Sequence, residues 1–175
     1  MRWPTDLAPG ALGQPDQRSC GAASVLAARA VLSEWRPRNG DGGAEITEEH
    51  RLLTSSRSAR DRFQVPWPRA LGTPPWAVAD ALRVLSGRPV ATVHARPRPD
   101  LAYDVVREQL RTRPVAVYLG SRLLPRHVVL AVGEVGDGIQ VFDPSRGARL
   151  IRVPRENWAG HRVGVGRWNY FWFAI

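Results

Sequence analysis

The chain carries one cysteine, Cys20, in the run Gln14-Pro15-Asp16-Gln17-Arg18-Ser19-Cys20-Gly21-Ala22-Ala23-Ser24. The residues that follow it favour a helix, so the thiol is expected at a helix N-terminus. Unpaired backbone N–H groups and the helix dipole stabilise a thiolate there. Glycine and alanine directly after the cysteine let a substrate backbone come close. Gln14 stands six positions ahead of Cys20. At that spacing its side-chain amide can point at a developing oxyanion, with the Cys20 backbone N–H as second donor. Gln17 competes for this role, and spacing favours Gln14. The bland alternative is a small buried thiol at a helix start, a common place for free cysteine.

A nucleophile of this kind needs a base, and the base needs an orienting group. Arg126-His127-Val128-Val129-Leu130-Ala131-Val132-Gly133 sets a histidine at the start of an apolar strand. Ile139-Gln140-Val141-Phe142-Asp143-Pro144 ends the next strand on an aspartate. Adjacent antiparallel strands bring His127 and Asp143 together, so that the acid holds one ring nitrogen and the other faces the thiol. Read singly, His127 is a strand-edge histidine with a local partner, and Asp-Pro is an ordinary turn starter.

His50, His94 and His161 are weaker candidates. His50 lies in a charged helical stretch and is expected to be solvated. One cysteine and four histidines form neither an H-x-x-x-H nor a C-x-x-C pattern, so no metal site is expected. Gly40-Asp41-Gly42-Gly43 lacks the strand and lysine of a phosphate loop, and no cofactor is expected. A lone thiol also excludes an internal disulfide.

The elements that must position these side chains follow from local pattern. Cys20 to about Leu32 reads as a helix, with Ser19 as N-cap. A short helix is predicted from about Ile46 to Leu53. A further helix has Thr73 as cap, Pro74 and Pro75 in the first turn and Gly87 as its stop. Another covers Asp100 to Thr112, with Leu101, Val105, Val106 and Leu110 on one side. Val90 to Ala95 reads as a strand. So do Pro114–Leu119, His127–Gly133, Gly138–Phe142, Ala148–Val153 and Trp168–Ala174. Gly136-Asp137-Gly138 and Pro144-Ser145-Arg146-Gly147 are the turns of that meander. Residues Thr54 to Gly72 are polar and proline-punctuated, and read as a flap or substrate-facing loop. Helices first and a strand meander afterwards define an α+β domain.

Size and composition bound the rest. The 175 residues, 43% of them hydrophobic, match one globular domain spanning 1–175. The net charge is +9, yet the chain has no lysine and its arginines are scattered. No nucleic-acid partner is therefore expected, since such binding needs a concentrated basic patch. No run is long and apolar enough for a membrane span. Met1 to Asp6 lacks the apolar core of a secretory signal. The expected location is cytoplasmic, with export by a signal-independent route left open. The seven tryptophans are read as core or groove wall.

Taken in order, Gln-x5-Cys-Gly at a helix start, a later His-Val-Val-Leu strand and a hairpin ending in Asp-Pro resemble the papain-like cysteine peptidases. The resemblance is closest to the bacteriocin-processing, double-glycine leader peptidase-like family. It covers Gln14 to Ser24 and His127 to Gly147. It implies a papain-like fold, with N-terminal helices packed on a C-terminal antiparallel sheet. It also implies a thiol hydrolase with Cys20 as nucleophile, His127 as base, Asp143 as orienter and Gln14 at the oxyanion, acting on a peptide or protein. Ser19 stands where many members of the family have an aspartate. Two other readings share the same residues: an acyltransferase or transglutaminase-like enzyme, and a peptide-binding module without turnover. An effector or toxin role concerns biology, not chemistry.

Overall fold

The computed structural model describes every residue of the chain except Arg146. Helices α1 (Cys20–Leu32), α2 (Gly43–Leu53), α3 (Pro75–Ser86) and α4 (Pro99–Gln109) precede most of the sheet. The strands are β1 (Val93–His94), β2 (Val115–Gly120), β3 (Pro125–Val135), β4 (Gly138–Asp143), β5 (Arg149–Pro154) and β6 (Tyr170–Ala174). Helix α5 (Arg155–Ala159) lies between β5 and β6. The six strands form one antiparallel sheet in the order β1-β6-β2-β3-β4-β5. This is the α+β architecture expected from the sequence.

The sheet separates two hydrophobic cores, and strand alternation explains why. Val128, Leu130 and Val132 of β3, with Ala116 and Tyr118 of β2, join the core under α1, α2 and α3. Val129 and Ala131, with Val115, Val117 and Leu119, face the core built from α4 and α5. Both faces of β2 are covered, so it reads as a continuous apolar run. Helix α1 is buried over most of its length. Its alanines at 22, 23, 27, 28 and 30 let the sheet and two neighbouring helices approach closely.

The structure corrects several local expectations. Helix α2 begins at Gly43, ahead of the expected Ile46. Thr73 does not cap α3; Pro74 holds the cap position in extended conformation, and Gly87 ends the helix at φ 62° as expected. Strand β1 is only Val93–His94, shorter than the expected Val90–Ala95. Helix α4 stops at Gln109 and buries Ala102, Tyr103 and Val106, while Leu101 and Val105 are exposed. The α4 error was one of face: Tyr103 is the anchor, seated beside Trp158 of α5. Ser19 holds the N-cap position of α1 without a side-chain capping bond. The β3–β4 turn spans Gly136-Asp137, with Val135 paired to Gly138. The expected Pro144–Gly147 turn includes Arg146, which lies outside the described residues. Among the tryptophans, Trp158 is fully buried, whereas Trp76 is 42% exposed.

One close approach sets the start of α1. A Cβ built on Gly21 would lie 2.6 Å from Thr73 Cβ and 2.8 Å from its Oγ1. Alanine in a helix gains up to about 1 kcal/mol over glycine. Overpacking of a tight site costs about 1–3 kcal/mol, and here the obstacle is a Cβ, not a flexible tip. Gly21→Ala should therefore lower stability by about 1–2 kcal/mol, read as a lower denaturation midpoint at unchanged slope.

Candidate active site

Cys20 is the first residue of α1 and is buried, at 5% exposure. The segment before it is shaped by Asp16, whose Oδ1 accepts the backbone N–H of Arg18 at 2.7 Å and of Ser19 at 2.9 Å. This Asx-type turn aims the chain into the helix. From the other side, Thr73 abuts Gly21, and Gly72 sits against the Arg18 carbonyl. The 54–72 segment thus ends against the turn that leads into Cys20. Trp67 and Trp76 pack edge to face beside it, with ring centroids 5.2 Å apart.

His127 lies near the start of β3 and Asp143 ends β4. The β3–β4 register pairs Leu130 with Phe142. His127 and Asp143 lie just beyond that last pair, at the same end of the two neighbouring strands. His127 Nε2 meets Asp143 Oδ1 at 2.7 Å, with both side chains nearly inaccessible. Nδ1 is then the ring nitrogen left for a thiol. Ser145 completes the carboxylate's shell: its N–H donates to Oδ1 at 3.0 Å and its hydroxyl to Oδ2 at 2.7 Å.

The electrostatics follow from these contacts. Burial opposes the charged imidazole, but hydrogen bonding with Asp143 and Cys20, and the charges of both, raise the His127 pKa to about 9. Burial likewise works against the Asp143 carboxylate, yet hydrogen bonds from His127 and Ser145 and the His127 charge hold its pKa below the ordinary 3.8. Tyr118 is buried beneath the same region. Burial and the charge of Cys20 push its pKa well above the usual phenol value, so it stays neutral. Its hydroxyl donates to the Thr73 carbonyl at 3.4 Å.

Gln14 is half-buried. Its backbone N–H donates to the Pro144 carbonyl at 2.7 Å, which ties it to the corner holding Asp143. Its Nε2 donates to the Asp16 carbonyl at 2.6 Å, leaving one N–H free. Gln17 is exposed. The structure therefore gathers Cys20, His127, Asp143 and Gln14 around one corner. Of the other histidines, His94 is exposed. His50 is buried at 6% exposure, against the solvated position expected for it. Sequence reading missed Ser145 and Asp16; the Asp-x-Ser spacing at 143–145 and the Asp-x-Arg-Ser run at 16–19 are the signals of side-chain-capped turns. No group of three or more His, Cys, Asp or Glu among the described residues could hold a metal. No helix among them is long and apolar enough to cross a membrane.

No family model matches the chain, and no curated protein matches it. Solved structures do. The fold is similar to that of a double glycine motif protease from an AMS/PCAT transporter, solved in complex with its leader peptide. That match has TM-score 0.50 and 16% identity, and covers 99% of this chain and 90% of that one. It is also similar to the peptidase domain of Streptococcus ComA, a bi-functional ABC transporter involved in quorum sensing. There the TM-score is 0.52 at 16% identity, with 93% of each chain covered. The architecture is thus the papain-like fold of double-glycine leader peptidase domains, with α1 starting at Cys20 and packed on the six-stranded sheet.

The shifted pKa values link the site to stability. Because the folded value of His127 lies near 9, above the free value of 6.5, its contribution is complete below pH 6.5 and is lost as pH rises through 9. Asp143 acts at the other end: its contribution is present above 3.8 and is lost as pH falls through its lower folded value. Denaturant midpoints of the wild type and His127→Gln, recorded across the alkaline range, should converge as pH passes about 9.

Proposed function

We propose that the protein is a cysteine peptidase or related amide hydrolase that works through Cys20, His127 and Asp143. The observation that carries this reading is the buried His127–Asp143 pair, bonded at 2.7 Å, with its ring in reach of a thiol at a helix start. The Cys20 thiolate adds to an amide carbonyl, and the carbonyl electron pair moves onto oxygen. Gln14 Nε2 and the Cys20 N–H are the donors for that oxyanion. As the oxyanion collapses, the C–N bond breaks and His127 gives its Nδ1 proton to the departing amine. Water, deprotonated by the same nitrogen, then releases the acyl group from sulfur.

A peptide is the substrate this reading favours. The similar transporter protease was solved with a leader peptide. In this chain, exposed Leu123 and Leu124 at the β2–β3 tip, and Leu71 and Trp76 beside the nucleophile turn, offer apolar contacts to side chains on both flanks. A double-glycine substrate is one case of this class; a peptide-library electrophile read by mass spectrometry identifies the preferred residues.

Three outcomes test the chemistry. Iodoacetamide should modify Cys20 faster in the folded than in the unfolded protein, and His127→Ala should remove the difference. Turnover of a cleaved peptide should fall as pH rises past about 9, where His127 loses the proton destined for the leaving amine. Gln14→Ala should reduce turnover by about 10²–10³, or about 3–4 kcal/mol of transition-state stabilisation, while alkylation of Cys20 changes little. Gln17→Ala should leave turnover near wild type, and the reverse order would remove Gln14 from the oxyanion site. Product masses with and without an added amine separate hydrolysis from acyl transfer.

A further inference from the structure

The hydrogen bonds around Cys20 close into a ring through a residue that the reaction does not touch. Starting from Asp143, the next residue, Pro144, accepts the Gln14 N–H at 2.7 Å. The Gln14 amide donates to the Asp16 carbonyl at 2.6 Å. The Asp16 carboxylate accepts the N–H groups of Arg18 and Ser19 at 2.7 and 2.9 Å. Ser19 leads into Cys20, and Cys20 faces His127, which returns to Asp143. Ser19 occupies the N-cap position of α1, but its side chain makes no capping bond. Asp16 therefore fixes the Arg18–Ser19 peptide, the one directly before the peptide that carries the Cys20 N–H. The Asp16 carbonyl meanwhile fixes the Gln14 amide.

We infer that Asp16 is a positioning residue, whose side-chain-bonded turn sets the direction of both proposed oxyanion donors, Gln14 Nε2 and the Cys20 N–H. The inference rests on the thiol-hydrolase reading above. Two features support it. The carboxylate has its own stabilisation: burial opposes its charge, but the Arg18 and Ser19 hydrogen bonds and the nearby buried His50 prevail, and its pKa is lowered. The contact is also geometrically exacting. An i to i+2 and i+3 pair of bonds from one oxygen suits a side chain of one methylene, which Asp and Asn share and Glu lacks.

Two probes of Cys20 separate this role from general support of the fold. Iodoacetamide alkylates sulfur by displacement of iodide and forms no oxyanion. A small peptide aldehyde adds the thiol across its carbonyl: the S–C bond forms, and the former carbonyl oxygen carries the charge that Gln14 and the Cys20 N–H receive. Asp16→Ala and Asp16→Glu should weaken aldehyde binding about 10- to 100-fold while the alkylation rate stays within about threefold. Asp16→Asn, which keeps the acceptor in place, should bind the aldehyde like the wild type. Melting curves accompany each variant, and Asp16→Glu carries the test if the alanine variant does not fold. The inference is overturned if the aldehyde ignores Asp16→Ala and Asp16→Glu, if both probes weaken together, or if Glu restores binding and Asn does not. A different failure is recognisable in the wild type. If it binds no aldehyde and alkylates no faster folded than unfolded, the thiol-hydrolase reading itself falls, and the role of Asp16 with it.

Discussion

A buried imidazole–carboxylate pair is the constraint on which this structure turns. His127 and Asp143 are 4% and 1% exposed, and the hydrogen-bonding geometry between them leaves no room for solvent. Two charges taken out of water cost several kcal/mol each unless every lone pair and proton finds a partner. The fold meets that demand locally. Ser145 supplies two donors to the carboxylate, and the antiparallel pairing of β3 and β4 brings His127 and Asp143 to the same end of the two strands. Removing one partner leaves the other uncompensated, which costs about 3–5 kcal/mol at such sites. An acid–base pair this deep is held by the ends of two strands together with Ser145 from the loop that follows them.

The thiol comes from a different layer, and its delivery depends on small side chains. Helix α1 presses five alanines and Gly21 against β3, α2 and α3. Larger residues along that face would lift the helix and carry Cys20 away from His127. The sheet and the helix are thus aligned by two independent means: backbone register on one side, and the absence of bulk on the other. Tyr118 links them, since it belongs to β2, stacks on Phe173 with centroids 4.4 Å apart, and reaches Thr73 above the first turn of α1.

What could be read in the sequence was what depends on local pattern. The Cys20 helix, the β3–β4 hairpin and the placement of His127 and Asp143 at the start of one strand and the end of the next all follow from periodicity and turn chemistry. What escaped depends on which side of an element is covered. Helix α4 offers two apolar faces, and only the packing of Trp158 and Tyr103 decides that Leu101 and Val105 are left outside. His50 sits among Glu48, Glu49 and Arg51, so its neighbours in sequence are charged although its neighbours in space are not water. The 54–72 segment has no periodicity to read. Its order comes from isolated contacts, such as the Arg57–Phe63 bridge and the Gln64 amide bonded to the Leu53 and Ser55 carbonyls. Ser145 was hidden for another reason: its hydroxyl matters only once Asp143 is known to be buried.

The strand order carries a consequence in time. Strand β6 lies between β1 and β2, although residues 121–169 separate it from β2 in the chain. Until Tyr170–Ala174 leaves the ribosome, β2 has an open edge and β1 has no partner in the sheet. The helices and the β2–β5 meander can collapse earlier, because their contacts are nearer in sequence, whereas joining distant strands is slow. Phe173, which stacks on Tyr118, arrives with that last strand. A growing chain therefore holds Cys20, His127 and Asp143 well before the floor beneath them is laid, so the corner they share is finished only when β6 joins the sheet.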